Sequence, residues 1–406
     1  MPHTHRIAIN AQIAIGSRHE SNANNGVSHF LEHMLYRGIP SHPTAHQQAV
    51  AFEELGGTLH ASTAVDAGSL AISVPPENFS PTLSLFAEVF QHPQLDGIDL
   101  ERGIVEEEIL DGLDEVGESV DADDWIRQLV FRNHSLGMPI TGTLDTLSGF
   151  DADGLLAHHA DYYCGAASTI AIAGPLDPDA VFRQLDAAFA KQRSGQRQAL
   201  GASPTAPGGR YRHVRHTASQ TELRLGFLAP GIGHKSEPAV EMLLRILDDG
   251  LSTRLYQEIC DKRGLCYDVS GHFEAYEDSG LVELAAESAH DRSPAVLETI
   301  LGILDSLRQS GPTEAELRKA RDRHRWEQLA MLDRPGAMAE HHAEYAQFRE
   351  GVSLQSRHEE LASLTPADIQ NAAAFVFSAN NMAGVSVGVQ NAKQQEQLEK
   401  QLQSFV

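Results

Sequence analysis

Apolar and polar positions along the chain set out two halves that begin alike. The first opens with Arg6-Ile7-Ala8-Ile9-Asn10-Ala11-Gln12-Ile13-Ala14-Ile15, whose alternation predicts a strand. A polar turn then leads to an apolar helix near 25–36. The second opens with Glu222-Leu223-Arg224-Leu225-Gly226-Phe227, again strand-like, and a Pro/Gly loop leads to an apolar helix near 238–249. Each half continues with strands and long amphipathic helices. One helix starts at Thr313-Glu314-Ala315-Glu316, where the Thr313 hydroxyl and Glu316 form a capping box. Between the halves, Lys191–Arg197 is polar, and Pro204, Pro207, Gly208 and Gly209 follow, which predicts a linker. The pattern reads as a duplicated α+β unit, with domains at 1–195 and 211–406 and a linker at 196–210.

Composition narrows the class. The 406 residues suit two domains, and 41% hydrophobic with 21% charged residues is globular composition. No apolar run approaches the roughly 18 residues that would cross a bilayer. Met1-Pro2-His3-Thr4-His5-Arg6 does not read as a leader peptide. A net charge of −25 argues against nucleic acid as a partner and is compatible with basic peptides. Three cysteines, Cys164, Cys260 and Cys266, form neither a disulfide framework nor a CxxC zinc knuckle. They fit a reducing compartment, so a cytoplasmic location is expected, or a periplasmic one if a leader has been removed.

The helix near 25–36 carries the chemistry. It reads Gly26-Val27-Ser28-His29-Phe30-Leu31-Glu32-His33-Met34-Leu35 and contains H-x-x-E-H. His29 and His33 are one helical turn apart and project from one face, so both can bind one tetrahedral metal. Glu32 can reach a water on that metal without being a ligand. Val27, Phe30, Leu31, Met34 and Leu35 predict that the helix is buried. Buried imidazoles and a buried carboxylate are costly unless a metal or hydrogen bonds compensate. The order mirrors H-E-x-x-H and is the inverzincin pattern of zinc peptidases.

A third ligand would leave one open position for water. The candidates lie in Glu101-Arg102-Gly103-Ile104-Val105-Glu106-Glu107-Glu108-Ile109. On a helix, Glu101, Ile104, Val105 and Glu108 share a face, which favours a buried role for Glu101 and Glu108. Glu106 and Glu107 point elsewhere and read as solvated.

With these motifs the sequence resembles the pitrilysin/insulinase family of zinc peptidases, in particular its short members similar to mitochondrial processing peptidase subunits. That family pairs H-x-x-E-H with a later segment of the form E-R-x-V-x-x-E-E-I, which Glu101–Ile109 fits. Glu108 follows His33 by 75 residues, and Glu101 precedes Glu108 by seven. The resemblance implies that Glu108 is the third zinc ligand and that Glu101 supports the ligands from outside. Gly56-Gly57-Thr58-Leu59-His60-Ala61-Ser62-Thr63 resembles the family's G-G-x-x-N-A-x-T strand beside the metal. Leu136–Thr143 resembles its loop before the next helix, and Gly250–Leu255 with Arg263–Tyr267 its second-half signature.

The resemblance implies two homologous α+β domains, each a mainly antiparallel sheet packed with helices, arranged as a clamshell. It implies one zinc ion per chain and hydrolysis of short unfolded peptides, with Glu32 as general base and Tyr267 steadying the carbonyl oxygen. The peptide would bind as an added strand near His60 and Ala61. Homodimers, or heterodimers with a related subunit, are expected. The sequence also departs from the family. His60 stands where asparagine is usual. Cys260 stands where an arginine is expected seven residues before Tyr267, leaving Arg263 or Arg254 to substitute. Members usually have a further strand before the segment equivalent to 6–15. A catalytically weak or partner-dependent subunit is therefore the alternative. The remaining histidine pairs, His158-His159 and His341-His342, read as helix-surface residues.

Overall fold

The computed structural model describes residues 1–349 and 351–405. The chain divides into two compact units. The first comprises Met1–Asp111, Met138–Gly201 and Glu327–Val352; the second comprises Gly112–Gly137, Ala202–Trp326 and Ser353–Val406. Neither is one continuous stretch.

The first unit holds β1 (Ile7–Ile13), β2 (His60–Thr63), β3 (Gly68–Val74) and β4 (Ser168–Ala173), in sheet order β2-β3-β1-β4. All its pairings are antiparallel. The alternation in β1 would suit a strand buried on one face, yet nearly every residue of β1 is buried. The Pro335–Phe348 helix explains this. Thr169, paired with Gln12 across β1 and β4, donates its hydroxyl to Gln347 Oε1 of that helix at 2.6 Å. The helix therefore covers the Ala8, Asn10 and Gln12 face, where small side chains let it approach.

The second unit holds β5 (Arg210–Arg215), β6 (Thr221–Ala229), β7 (Asp268–Ala275), β8 (Gly280–Ser288) and β9 (Met382–Gly388). Their order is β5-β9-β6-β8-β7. Read from β7, the first four strands repeat the order of the first unit, with β6 in the place of β1. β5 is an addition and runs parallel to β9. Among the described residues no strand lies outside β4 at the corresponding place. The Ala122–Val130 helix packs on β6 and β9. Its approach requires Gly226, since a Cβ there would lie 2.6 Å from Ile126 and 2.7 Å from Val130. Each unit thus takes one sheet-covering helix from the other half of the sequence. The Thr313 capping box forms as expected, with reciprocal bonds to Glu316. No helix among the described residues is long and apolar enough to cross a membrane.

Candidate metal centre

The H-x-x-E-H motif lies on α1 (Val27–Met34), entered through Gly26 in the left-handed region. Gly26 also has no room for a side chain, because a Cβ would lie 2.7 Å from Gly142 Cα. Thus the loop resembling the family's segment before the next helix braces the start of α1. Glu20 closes the helix end. Its carboxylate accepts the backbone N–H of Gly26 at 2.7 Å and of Ser28 at 2.8 Å, and the Asn25 side-chain amide at 2.9 Å. A buried carboxylate at a helix N-terminus is stabilised by those donors and by the helix dipole.

His29 is 8% exposed, and Phe30, Leu31 and Met34 are fully buried, so α1 is held as an internal element. The Ile98–Asp111 helix packs against it and presents Glu101, Val105 and Ile109 inward. Glu108 is exposed rather than buried as the sequence suggested, and Ile104 does not belong to that buried face either; it is 47% exposed. At about 100° per residue, it falls on the rim of an arc centred between Glu101 and Ile109. Glu106 and Glu107 are exposed, as expected.

Three donors converge. His29 Nε2 lies 3.5 Å from Glu108 Oε1, and His33 Nε2 lies 3.5 Å from Glu108 Oε2. These distances are too long for good hydrogen bonds. They match the spacing of about 3.4 Å between donors placed about 2.1 Å from one tetrahedral ion. Glu101 is 4% exposed and accepts His33 Nδ1–H at 2.8 Å. That bond fixes the tautomer and leaves the Nε2 lone pair facing the shared point. Arg37 pairs with the other oxygen of Glu101. His29 Nδ1 is buried with no hydrogen-bond partner. Burial, and then the neighbouring His33, lower the His29 pKa to about 4, so the ring is neutral and able to ligate at neutral pH. The donor set of two imidazoles and one carboxylate fits zinc.

Glu32 is half-buried beside this cluster. Burial raises its pKa, against the hydrogen bond from the Thr63 hydroxyl, the charge of His33 and the Thr63 backbone N–H. A carboxylate shifted upward is suited to take and return a proton.

The edge strand β2 lies next to α1. His60 is exposed and Ala61 is partly buried. Because Ala64 N–H bonds to Ala67, the antiparallel alternation turns the N–H groups of Ala61 and Thr63 away from β3. Ala61 N–H donates to the Tyr36 hydroxyl at 2.5 Å. Glu20, Arg37, Tyr36 and Thr63 were given no role by the sequence. Glu20 and Arg37 lie close to the motif in sequence but carry no signature of their partners.

Tyr267 is 92% exposed in the second unit, immediately before β7. Arg263 is committed to Glu258 at 2.6 Å, and Arg254 to Glu316 at 2.7 Å. Cys260 Sγ lies 3.7 Å from Cys266 Sγ, and both are free thiols.

The pair His158-His159 does not lie on a helix surface; the residues are 8% and 4% exposed. His158 Nε2 is 3.0 Å from Ser28 Oγ on α1, and His159 Nε2–H donates to the Phe90 carbonyl at 2.9 Å. Burial lowers both to about 4. Buried histidines need partners, and these partners lie far away in sequence. His341 and His342 are half-buried and exposed, in keeping with a surface position.

A two-unit α+β chain with an H-x-x-E-H helix and a carboxylate facing both imidazoles defines a metallopeptidase-like class. The model for "Insulinase (Peptidase family M16)" matches residues 1–144, and that for "Peptidase M16 inactive domain" matches 149–323. An uncharacterised zinc protease of Bacillus subtilis is 30% identical over 337 residues, covering 82% of this chain and 80% of that protein. One from Mycobacterium tuberculosis is 30% identical over 327 residues, covering 78% and 73%. A protease from Helicobacter pylori has the same fold, with a TM-score of 0.88 at 22% identity over 95% of this chain and 94% of that one. The chain belongs to the insulinase family, peptidase family M16.

Proposed function

We propose that this protein is a zinc-dependent endopeptidase or oligopeptidase that hydrolyses short unfolded peptides. The convergence of His29, His33 and Glu108, with Glu32 alongside, carries the proposal. The names of the relatives support it. His29, His33 and Glu108 would hold one zinc ion, which would supply Lewis-acid activation of a water and of the scissile carbonyl. Glu101 orients His33. Glu32, beside Thr63 of β2, takes the proton of the attacking water and delivers it to the leaving amine. The peptide adds as a strand beside β2, giving sequence-tolerant main-chain binding, with His60 at the margin. Tyr267 steadies the carbonyl oxygen as charge develops. A homodimer, or a heterodimer with a related subunit, is the proposed assembly.

The second reading is a catalytically weak or partner-dependent subunit. Cys260 favours it, because Arg254 and Arg263 are each engaged by a carboxylate within their own unit. The test is cleavage of a quenched peptide library, with zinc content measured on the native chain and on Glu32→Gln. On the peptidase reading, the variant keeps zinc and loses about 10²–10⁴-fold in turnover. If both hold zinc and neither cuts, the partner-dependent reading replaces it. A variant that cuts as fast as the native chain overturns the role of Glu32.

A further inference from the structure

The edge strand intended for the peptide is already partly occupied. Of the four residues of β2, only Ala61 and Thr63 turn their N–H groups outward, and the turn that follows α1 reaches the first of them. Ala61 N–H donates to the Tyr36 hydroxyl at 2.5 Å. Tyr36 lies four residues after Glu32, in the turn that follows α1, and its hydroxyl reaches the strand at Ala61. A strand added to this edge needs an outward N–H for its carbonyl. In the free chain, the donor at Ala61 is spent on a side chain.

We propose that Tyr36 gates the peptide-binding edge: its hydroxyl caps the Ala61 donor, and an incoming peptide must displace it. The inference rests on the peptidase reading and on strand addition at β2. Displacement exchanges one hydrogen bond for another, so a peptide with regular main-chain contacts over several residues can open the cap. A ligand offering a single carbonyl gains little against it. The cap therefore sets a threshold that every ligand of this edge must pass, and extended peptides pass it with their further main-chain contacts. It also satisfies an exposed strand edge that would otherwise invite pairing with other chains.

Tyr36→Phe removes the hydroxyl and keeps the ring. Two readouts separate the cap from the activity. Amide hydrogen exchange in the free chain reports the Ala61 N–H directly. It should exchange at least about tenfold faster in the variant, with the amides of α1 unchanged. In peptide cleavage, KM should fall about fivefold, the weight of one net hydrogen bond, with kcat and zinc content unchanged. A single-amide substrate that uses the same donor should gain by the same factor. Unchanged exchange at Ala61 overturns the cap. A KM that stays level or rises overturns the gating role, since the hydroxyl would then be neutral or a substrate contact. If neither protein cleaves any peptide, the peptidase reading falls and strand-gating falls with it, while the exchange result still decides whether the hydroxyl caps the edge.

Discussion

Glu101 shows how much one side chain outside the proposed ligand set can decide. It is buried, so its charge needs compensation. His33 Nδ1–H and Arg37 supply it, and the same bond fixes which nitrogen of His33 faces Glu108. Glu101→Gln keeps the shape but weakens the acceptor and leaves Arg37 without its counter-charge. Zinc affinity should fall about 10–100-fold, read by competition with a chelator of known strength. An unchanged affinity would mean that packing alone orients His33. The spacing of Glu101 and Glu108 was legible in the sequence because a helix turns spacing into a shared face. Arg37 was not, because nothing local distinguishes a cation that meets a buried carboxylate from one in water.

At the scale of elements, α1 is positioned from its start rather than by its propensity. Glu20 satisfies two of the backbone N–H groups left free by the first turn. Removing the carboxylate in Glu20→Ala leaves those buried donors unpaired. The expected loss is about 2–3 kcal/mol of unfolding free energy, measured by urea titration, with weakened zinc retention. Glu20→Asp should not recover it fully, because the shorter side chain cannot span the same donors. The helix itself was readable from its apolar run and its H-x-x-E-H. Its cap was not: Glu20 lies six residues before Gly26, beyond the reach of a capping box.

For the whole molecule, the first unit gathers buried neutral histidines. His29, His158 and His159 all have pKa values lowered by burial from 6.5 to about 4. A lowered folded-state value means that the unfolded chain binds more protons between these limits. Stability therefore rises with pH from about 4 to about 6.5 and is lost as pH falls through that window. For the metal-free protein at pH 5, the loss is on the order of 1–2 kcal/mol per histidine. Segment-resolved hydrogen exchange, corrected for intrinsic rates, should show weaker protection of α1 and the Ala152–Tyr162 helix at pH 5 than at pH 7. Equal protection would show that these histidines are not neutral in the fold. The second unit has groups of the opposite kind. Burial raises Asp124 to about 6 and Glu283 to about 7, and such groups stabilise as pH falls. A global unfolding curve therefore mixes the two effects, and the local readout separates them.

By itself the sequence determined what depends on neighbours along the chain. It set the α+β class, the two similar strand–helix openings, the Thr313 cap, and the helix that carries His29, Glu32 and His33. It also placed Glu101 and Glu108 on one helix with a face in common. Helical and strand periods convert spacing into direction, so these features need no knowledge of distant partners. The tertiary structure alone decided the rest. It exchanged the Ala122–Val130 and Pro335–Phe348 helices between the two halves of the sequence, with room at Gly226 for the first. It buried His158 and His159 against Ser28 and Phe90. It turned Ile104 to the rim and brought the hydroxyl of Tyr36 to the outward N–H of Ala61. A buried polar group is stable only where its partner is, and partners 25 to 130 residues away meet only when the sheets and helices pack.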